Sequence, residues 1–221
     1  MITVVYFWKI PTRSIPSSFL SMALDRIVIK RIGGVIFTKS LGCGSGTKFT
    51  PSDADFHRWG LLVCLPEEKV GLLDNSPSVL RWRRRALHEF RVLLDPISSH
   101  GKWSGQSPFK SNDEMKVYEG EIATVTRARI SPSQIFRFWR SIPPVAESLH
   151  SASGLLLSIG IGEAPIGLQG TFSLWSSAAD MRNFVFKGEA HRLAISDTER
   201  FQWYSEELFA RFAVREKRGT F

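Results

Sequence analysis

GLLLSIGIGEAPIGLQGTFSLWSSAADMRNFVFKGEAHRLAISDTERFQWYSEELFARF, residues 154–212, is the stretch that decides how this chain is read. Two apolar runs, Gly154–Gly162 and Gly170–Trp175, bracket a turn containing glycine and proline and predict a β-hairpin. A helical segment follows, with His191 about midway along it. Leu208–Val214 then reads as a closing strand. A β-β-α-β order with a single histidine on its helix makes His191 the first candidate for chemistry.

The preceding residues give a similar order. Ile2–Trp8 reads as a strand, ended by Pro11. Ser14–Arg31 reads as a helix: Ser14 can cap it, Pro16 suits its first turn, and Phe19, Leu20, Ala23, Leu24 and Ile27 recur at helical spacing. Val35–Leu41 predicts a second strand, leading into Gly42-Cys43-Gly44-Ser45-Gly46. No helical period follows those glycines, so a turn or a close approach to a flat ligand suits them better than a phosphate cradle. Arg58–Leu65 predicts a third strand and Glu67–Leu73 a short helix. A further helix is expected from Ser76-Pro77 through Arg91, then a short strand at Val92–Leu94. Pro96–Gly120 is polar, with Trp103 and Phe109 set in it, and reads as a linker or a loop folding over a ligand. Ile122–Ile130 predicts a strand, and Ser131-Pro132 starts a helix that Pro143-Pro144 breaks.

GVIFTKSLGCG (Gly34–Gly44) resembles GLLLSIGIG (Gly154–Gly162), so each half reads as a βαββαβ unit. The expected fold is α+β: two ferredoxin-like repeats forming a pseudo-symmetric, dimeric-type α/β barrel. The halves are 1–97 and 121–221, joined by the loop 98–120, with the histidine helix in the second.

Composition narrows the partners. The chain has 221 residues, a formal charge of +8 and two cysteines, Cys43 and Cys64. Two cysteines without zinc spacing exclude a disulfide framework and predict a reducing, cytoplasmic setting. No apolar run reaches bilayer-spanning length, and MITVVYFWKIP reads as a strand rather than a signal peptide. The densest basic cluster is Arg81, Arg83, Arg84 and Arg85 around Trp82. It reads as a solvated helix face or an anion site, and no groove-reading motif accompanies it, so nucleic acid is not expected. Acidic lipid headgroups, in a peripheral membrane contact, or the acidic face of an electron-donor protein could meet such a surface. An exposed edge strand could pair two copies as a homodimer.

The five histidines form no HxH, HExxH or facial-triad spacing, and no nucleophile elbow is present. What remains is His191 among Phe184, Val185, Leu193 and Ala194. It reads either as a hydrogen-bonded interface histidine or as the axial ligand of a haem, and composition leaves the choice open.

Several motifs carry a family resemblance. They include FTP (Phe49–Pro51), HRW (His57–Trp59), GKWSGQSPF (Gly101–Phe109), TRARI-P (Thr126–Pro132) and RFWRSIP (Arg137–Pro143). IGIGEAP (Ile159–Pro165), QGTFSLW (Gln169–Trp175), AHRLAI (Ala190–Ile195) and EELFARF (Glu206–Phe212) extend it. Together they resemble the spheroidene monooxygenase family, carotenoid 2-oxygenases of photosynthetic bacteria. The resemblance implies a haem b enzyme taking O2 and two electrons from a ferredoxin-type donor. Oxygen would be inserted into a hydrophobic, carotenoid-like substrate. It is also similar in architecture to dimeric α/β-barrel haem proteins, in which a helix histidine ligates iron.

On that resemblance His191 is the metal ligand, Arg127 and Arg137 are candidates for the propionates, and Trp175 and Phe184 for the cofactor pocket. Trp103 and Phe109 are further candidates for its apolar lining. Glu163 and Gln169, flanking the hairpin turn, are the catalytic candidates. Two alternatives stand beside this reading. One is a haem-dependent dehydratase similar to aldoxime dehydratases, with Ser158, Ser173 or His57 as its distal polar group. The other is a lipid- or pigment-binding barrel without catalysis.

Overall fold

The computed structural model describes residues 1–44, 53–111, 118–134, 138, 146–164, 170–187 and 203–221. Eight antiparallel strands form a closed barrel: β1 (Ile2–Lys9), β2 (Phe37–Gly44), β3 (Ala54–Leu65), β4 (His88–Gly101), β5 (Ile122–Ile130), β6 (Leu155–Gly162), β7 (Gly170–Trp175) and β8 (Tyr204–Gly219). The order around the barrel is β1-β3-β2-β6-β7-β5-β8-β4, with β4 closing onto β1. The first half therefore runs β2-β3-β1-β4 and the second β6-β7-β5-β8. The halves meet at a long β4–β8 ladder and at a short β2–β6 contact where Gly42 faces Gly162. Closure is continuous along the β4–β8 ladder and narrow at β2–β6, where only Gly42 and Cys43 pair with Gly162 and Ile161.

Alternation along the strands sorts side chains into two layers. Val5, Phe7, Leu62, Phe172, Leu174 and Phe212 point inward, and the lumen is a packed core rather than a channel. Cys43 and Cys64 belong to this layer. Burial pushes the Cys64 thiol up to about 12, and raises that of Cys43 as well. Trp103 and Phe109 also enter the lumen, stacking edge-on against Phe37 and Phe212. The segment read as a linker is thus part of the core over Gly101–Phe109. Gly101 makes this possible: its φ is +83°, and a Cβ there would run into the Glu207 carbonyl.

The outer face of the first half is covered by α1 (Ile15–Lys30), α2 (Val70–Asp74) and α3 (Pro77–Arg83). Tyr6, Trp8 and Trp82 form a continuous stack, with ring centroids 5.3 Å apart at each step. Each ring finds a carboxylate acceptor: part-buried Asp74 for the Tyr6 hydroxyl, part-buried Glu89 for the Trp8 N–H and buried Asp25 for the Trp82 N–H. Three arginines of the cluster pair here, while Arg84 is exposed. Arg81 binds Asp25, Arg83 binds Asp74 and Glu89, and Arg85 donates to Ser17 and Ser21 on α1.

Two further expectations are corrected, and one predicted helix shows an unforeseen orientation. The helix from Pro77 stops at Arg83, and the chain from His88 is a 14-residue strand. Phe90, Val92 and Leu94 alternate with Glu89, Arg91 and Leu93, a period of two that outweighs the helical character of the arginine run. Gly42, Cys43 and Gly44 lie in β2 rather than in a turn, with a bulge between Gly42 and Cys43. Most informative is α1, which buries Ser18, Ser21, Asp25 and Ile29 and exposes Phe19, Leu20, Leu24 and Ile27. Its apolar stripe faces away from the sheet because Arg81, Trp82 and Arg85 require polar partners on the inner side.

Asp25 is 1% exposed and serves both Arg81 and Trp82. Removing one member of such a buried set leaves the others unpaired. Asp25→Ala is expected to destabilise the fold by about 3–5 kcal/mol in urea unfolding, whereas Leu20→Ala on the same helix costs under about 0.5 kcal/mol.

Candidate functional site

The two halves differ most on their outer faces, and the strand register shows where. In the first half, Ser40, Leu61, Tyr6 and Arg91 lie side by side across four strands, and Gly42, Trp59, Trp8 and Glu89 form the next such row. In the second half the corresponding rows are Ser158, Ser173, Thr124 and Arg211, then Gly160, Thr171, Thr126 and Phe209. Where one face carries Leu61, Tyr6, Trp59 and Trp8, the other carries only serine, threonine and glycine on its inner three strands. Ser158 and Ser173 hydroxyls sit 3.4 Å apart on this bed. Replacing bulky residues by small ones lowers the floor of the layer and makes room for a flat body between sheet and cover.

An apolar wall stands at one end of the bed. Trp175 and Ile122 on the sheet pack with Met181 from α4 (Ala178–Lys187), and the Trp175 ring lies 5.3 Å from Phe184. Trp175 is 2% exposed, and its indole N–H has no hydrogen-bond partner among the described residues. A buried indole usually finds one. Cavities of about 300 and 160 Å³ flank α4; Phe184 and Asn183 line the larger, Ile122, Tyr118, Arg182 and Arg211 the smaller. The larger also takes Ser148, Ser153 and Asp180 and is mainly polar, whereas the smaller sets Ile97, Ile122 and Met181 beside two arginines and suits an apolar body with an anionic edge.

The other end of the second half is a polar closure. Glu163 follows β6 and accepts the Trp103 indole N–H, with Lys39 at 3.2 Å and Arg127 at 3.4 Å. Arg127, 6% exposed, also pairs with Glu206, which accepts from the backbone amides of Ser104 and Gly105 at 2.9 and 2.7 Å. These groups fasten the 101–106 turn over the lumen. Burial works to raise the Glu163 carboxyl pKa, but the Trp103 N–H, Lys39 and Arg127 outweigh it and hold Glu163 below the usual carboxylate range.

The sequence-derived candidates therefore fall into two groups. Trp175 and Phe184 meet at the α4 wall, and Glu163 and Arg127 meet at the closure. They are separated by the length of β6, roughly 25 Å. His191, Gln169 and Arg137 lie outside the described residues, as does the expected continuation of the helix past Lys187. His57 is bonded to Asp55 and Thr12 at the entry to β3, in the first half. Among the described residues no three His, Cys, Asp or Glu side chains gather as a metal site.

Comparison with known proteins places this geometry. The chain is 32% identical over 212 residues to spheroidene monooxygenase of Rhodobacter capsulatus, covering 95% of this chain and 88% of that protein. The chain belongs to the spheroidene monooxygenase family. The Cereibacter sphaeroides member is 34% identical over 181 residues, and this chain spans 55% of its length. No family model matches. Among solved structures, aldoxime dehydratase shares the fold, with a TM-score of 0.58 over 96% of this chain and 80% of that one at 9% identity.

Sequence reasoning missed Gly160, Thr171, Thr124 and Thr126 as members of one surface. Each is unremarkable alone, and only the cross-strand register unites them. Lys39 and Glu206, the partners that complete the closure, lie in quoted stretches, GVIFTKSLGCG and EELFARF, but nothing in the sequence links them to Glu163 and Arg127.

A carboxyl whose pKa is depressed in the folded chain adds stability above its unfolded value, near 4.3, and loses it as pH falls through the folded value. Glu163→Gln is therefore expected to melt below wild type above about pH 5, with the gap closing below about pH 4. A thermal-denaturation series across pH checks this.

Proposed function

We propose that this chain is a haem-dependent monooxygenase acting on a hydrophobic, carotenoid-like substrate. One oxygen atom of O2 enters a C–H bond of the substrate, and the other leaves as water, using two electrons from a ferredoxin-type donor and two protons. Membership of the spheroidene monooxygenase family is the observation that carries this reading. The bed of small side chains beneath an apolar wall supports it, because a porphyrin needs a flat slot and the lumen is already filled. The common strand order of the halves supports descent from a repeated ferredoxin-like unit, with the second copy's outer face emptied for the cofactor.

The residues fit haem b. Trp175, Phe184 and Ile122 would wall the ring, Arg182 and Arg211 stand where propionates could be held, and His191, from the family resemblance, would ligate iron. The haem supplies O2 activation. The chain's own residues exclude water through the apolar wall and offer the Trp175 N–H and the Ser158–Ser173 hydroxyls as donors on the bed. Glu163 and Arg127, in this reading, hold the 101–106 turn and thereby the Trp103 plug, a positioning role at a distance from the ring. The serine pair also suits a second reading, haem-dependent dehydration of a nitrogen-containing small molecule, which would consume neither O2 nor reductant.

Wild type purified with haem supplied is expected to show a Soret band at one haem per chain, lost or shifted in His191→Ala. Thr126→Trp, which copies the bulk of the first half onto an exposed bed position, should melt like wild type yet take up at least about tenfold less haem. Substrate turnover should require both O2 and reductant; turnover without either would favour dehydration. A folded wild type that binds no haem would overturn both readings.

A further inference from the structure

We propose that the outward face of α1 is a docking surface for an anionic lipid bilayer. Phe19, Leu20, Leu24 and Ile27 are 42%, 62%, 40% and 56% exposed, a stripe along a helix about 24 Å long. The stripe extends to Phe56, 37% exposed, whose ring lies 5.8 Å from that of Phe19. Ile29 is buried and Ile15 and Met22 pack on the core beneath the helix, and Phe19 rests edge-on against Trp59, but Leu20, Leu24 and Ile27 present apolar surface to solvent where Ser18, Ser21 and Asp25 take the inner side. This orientation is fixed from within: Asp25 is held by Arg81 and Trp82, and Ser21 by Arg85. A rotation that buried the stripe would break that set.

Charge chooses the occupant. The exposed side of α1 carries Arg26 and Lys30, with Arg13 before it and Arg31 after it, while its one acid, Asp25, is buried and paired. Apolar side chains rimmed by cations, and no exposed acid on the helix, suit lipid headgroups of negative charge with the stripe dipping into the acyl boundary. A second copy seated on the same face would bring eight cations together across the interface. No helix among the described residues is long and apolar enough to cross a membrane, so this contact would be peripheral. It is independent of the cofactor and of the reaction, and it is read without either.

The test is flotation of the purified chain with vesicles of phosphatidylcholine alone and of phosphatidylcholine mixed with phosphatidylglycerol. Wild type should float with the mixed vesicles and stay behind with the neutral ones, and its binding should weaken as salt is raised. The exposed-site variant Leu20→Ser with Ile27→Ser should keep the wild-type melting temperature and lose binding by more than about tenfold. Arg26→Gln with Lys30→Gln should lose about tenfold or more. The proposal is overturned if folded wild type ignores anionic vesicles, or if the apolar double variant binds them as wild type does. It is also overturned if wild type is a dimer that the apolar variant converts to monomer while neither form binds vesicles; a second copy would then cover the face.

Discussion

Closure of the sheet through β4 is the constraint on which the rest of the molecule depends. β4 pairs with β1 along its first part and with β8 along nearly its whole length, so it ties the first strand of the chain to the last. Once the barrel is closed, its inner face becomes a sealed apolar layer, and every remaining choice concerns the outer face. In the first half that choice is bulk and buried polar pairing, with the Tyr6–Trp8–Trp82 stack anchored by three carboxylates. The second half instead presents small side chains at the same register positions. One topology thus yields one outer face of bulky aromatic rings and one of small hydroxyl-bearing residues, the face on which the proposed cofactor would sit.

That difference explains the division of the candidate residues. Under the proposed function a ligand on the outer bed would meet Trp175 and α4, whereas Glu163 and Arg127 face the end of the lumen and meet the 101–106 turn. The polar closure and the apolar wall are separate devices on the same strands. The first fixes a plug in the barrel, and the second leaves an indole N–H without a partner among the described residues beside two cavities.

Much of the fold was legible because strand alternation and turn residues are local. The 154–175 hairpin, β1 and β5 could be read from their own residues. Only Val92–Leu94 of β4 was read as strand: four arginines around Trp82 drew His88–Arg91 into the preceding helix, the polar Glu89 and Arg91 being ion-pair partners in the strand, and the polar end from Pro96 was read as linker or loop. The apolar stripe of α1 was visible, but its direction was not. Spacing gives the side of a helix that is apolar and not the side that faces the core; here Arg81, Trp82 and Arg85, some sixty residues away, decide it. The bed of small residues escaped sequence reading for the same reason, since Ser158, Ser173 and Thr124 are neighbours only through pairing.

The most direct measurement of the central claim is amide hydrogen exchange with and without haemin, resolved by peptide. Slowed exchange in β6, β7 and α4, with β1 and β3 unchanged, is the predicted result. Protection confined to the first half, or none anywhere at saturating haemin, would contradict the assignment of the second half's outer face as the ligand site.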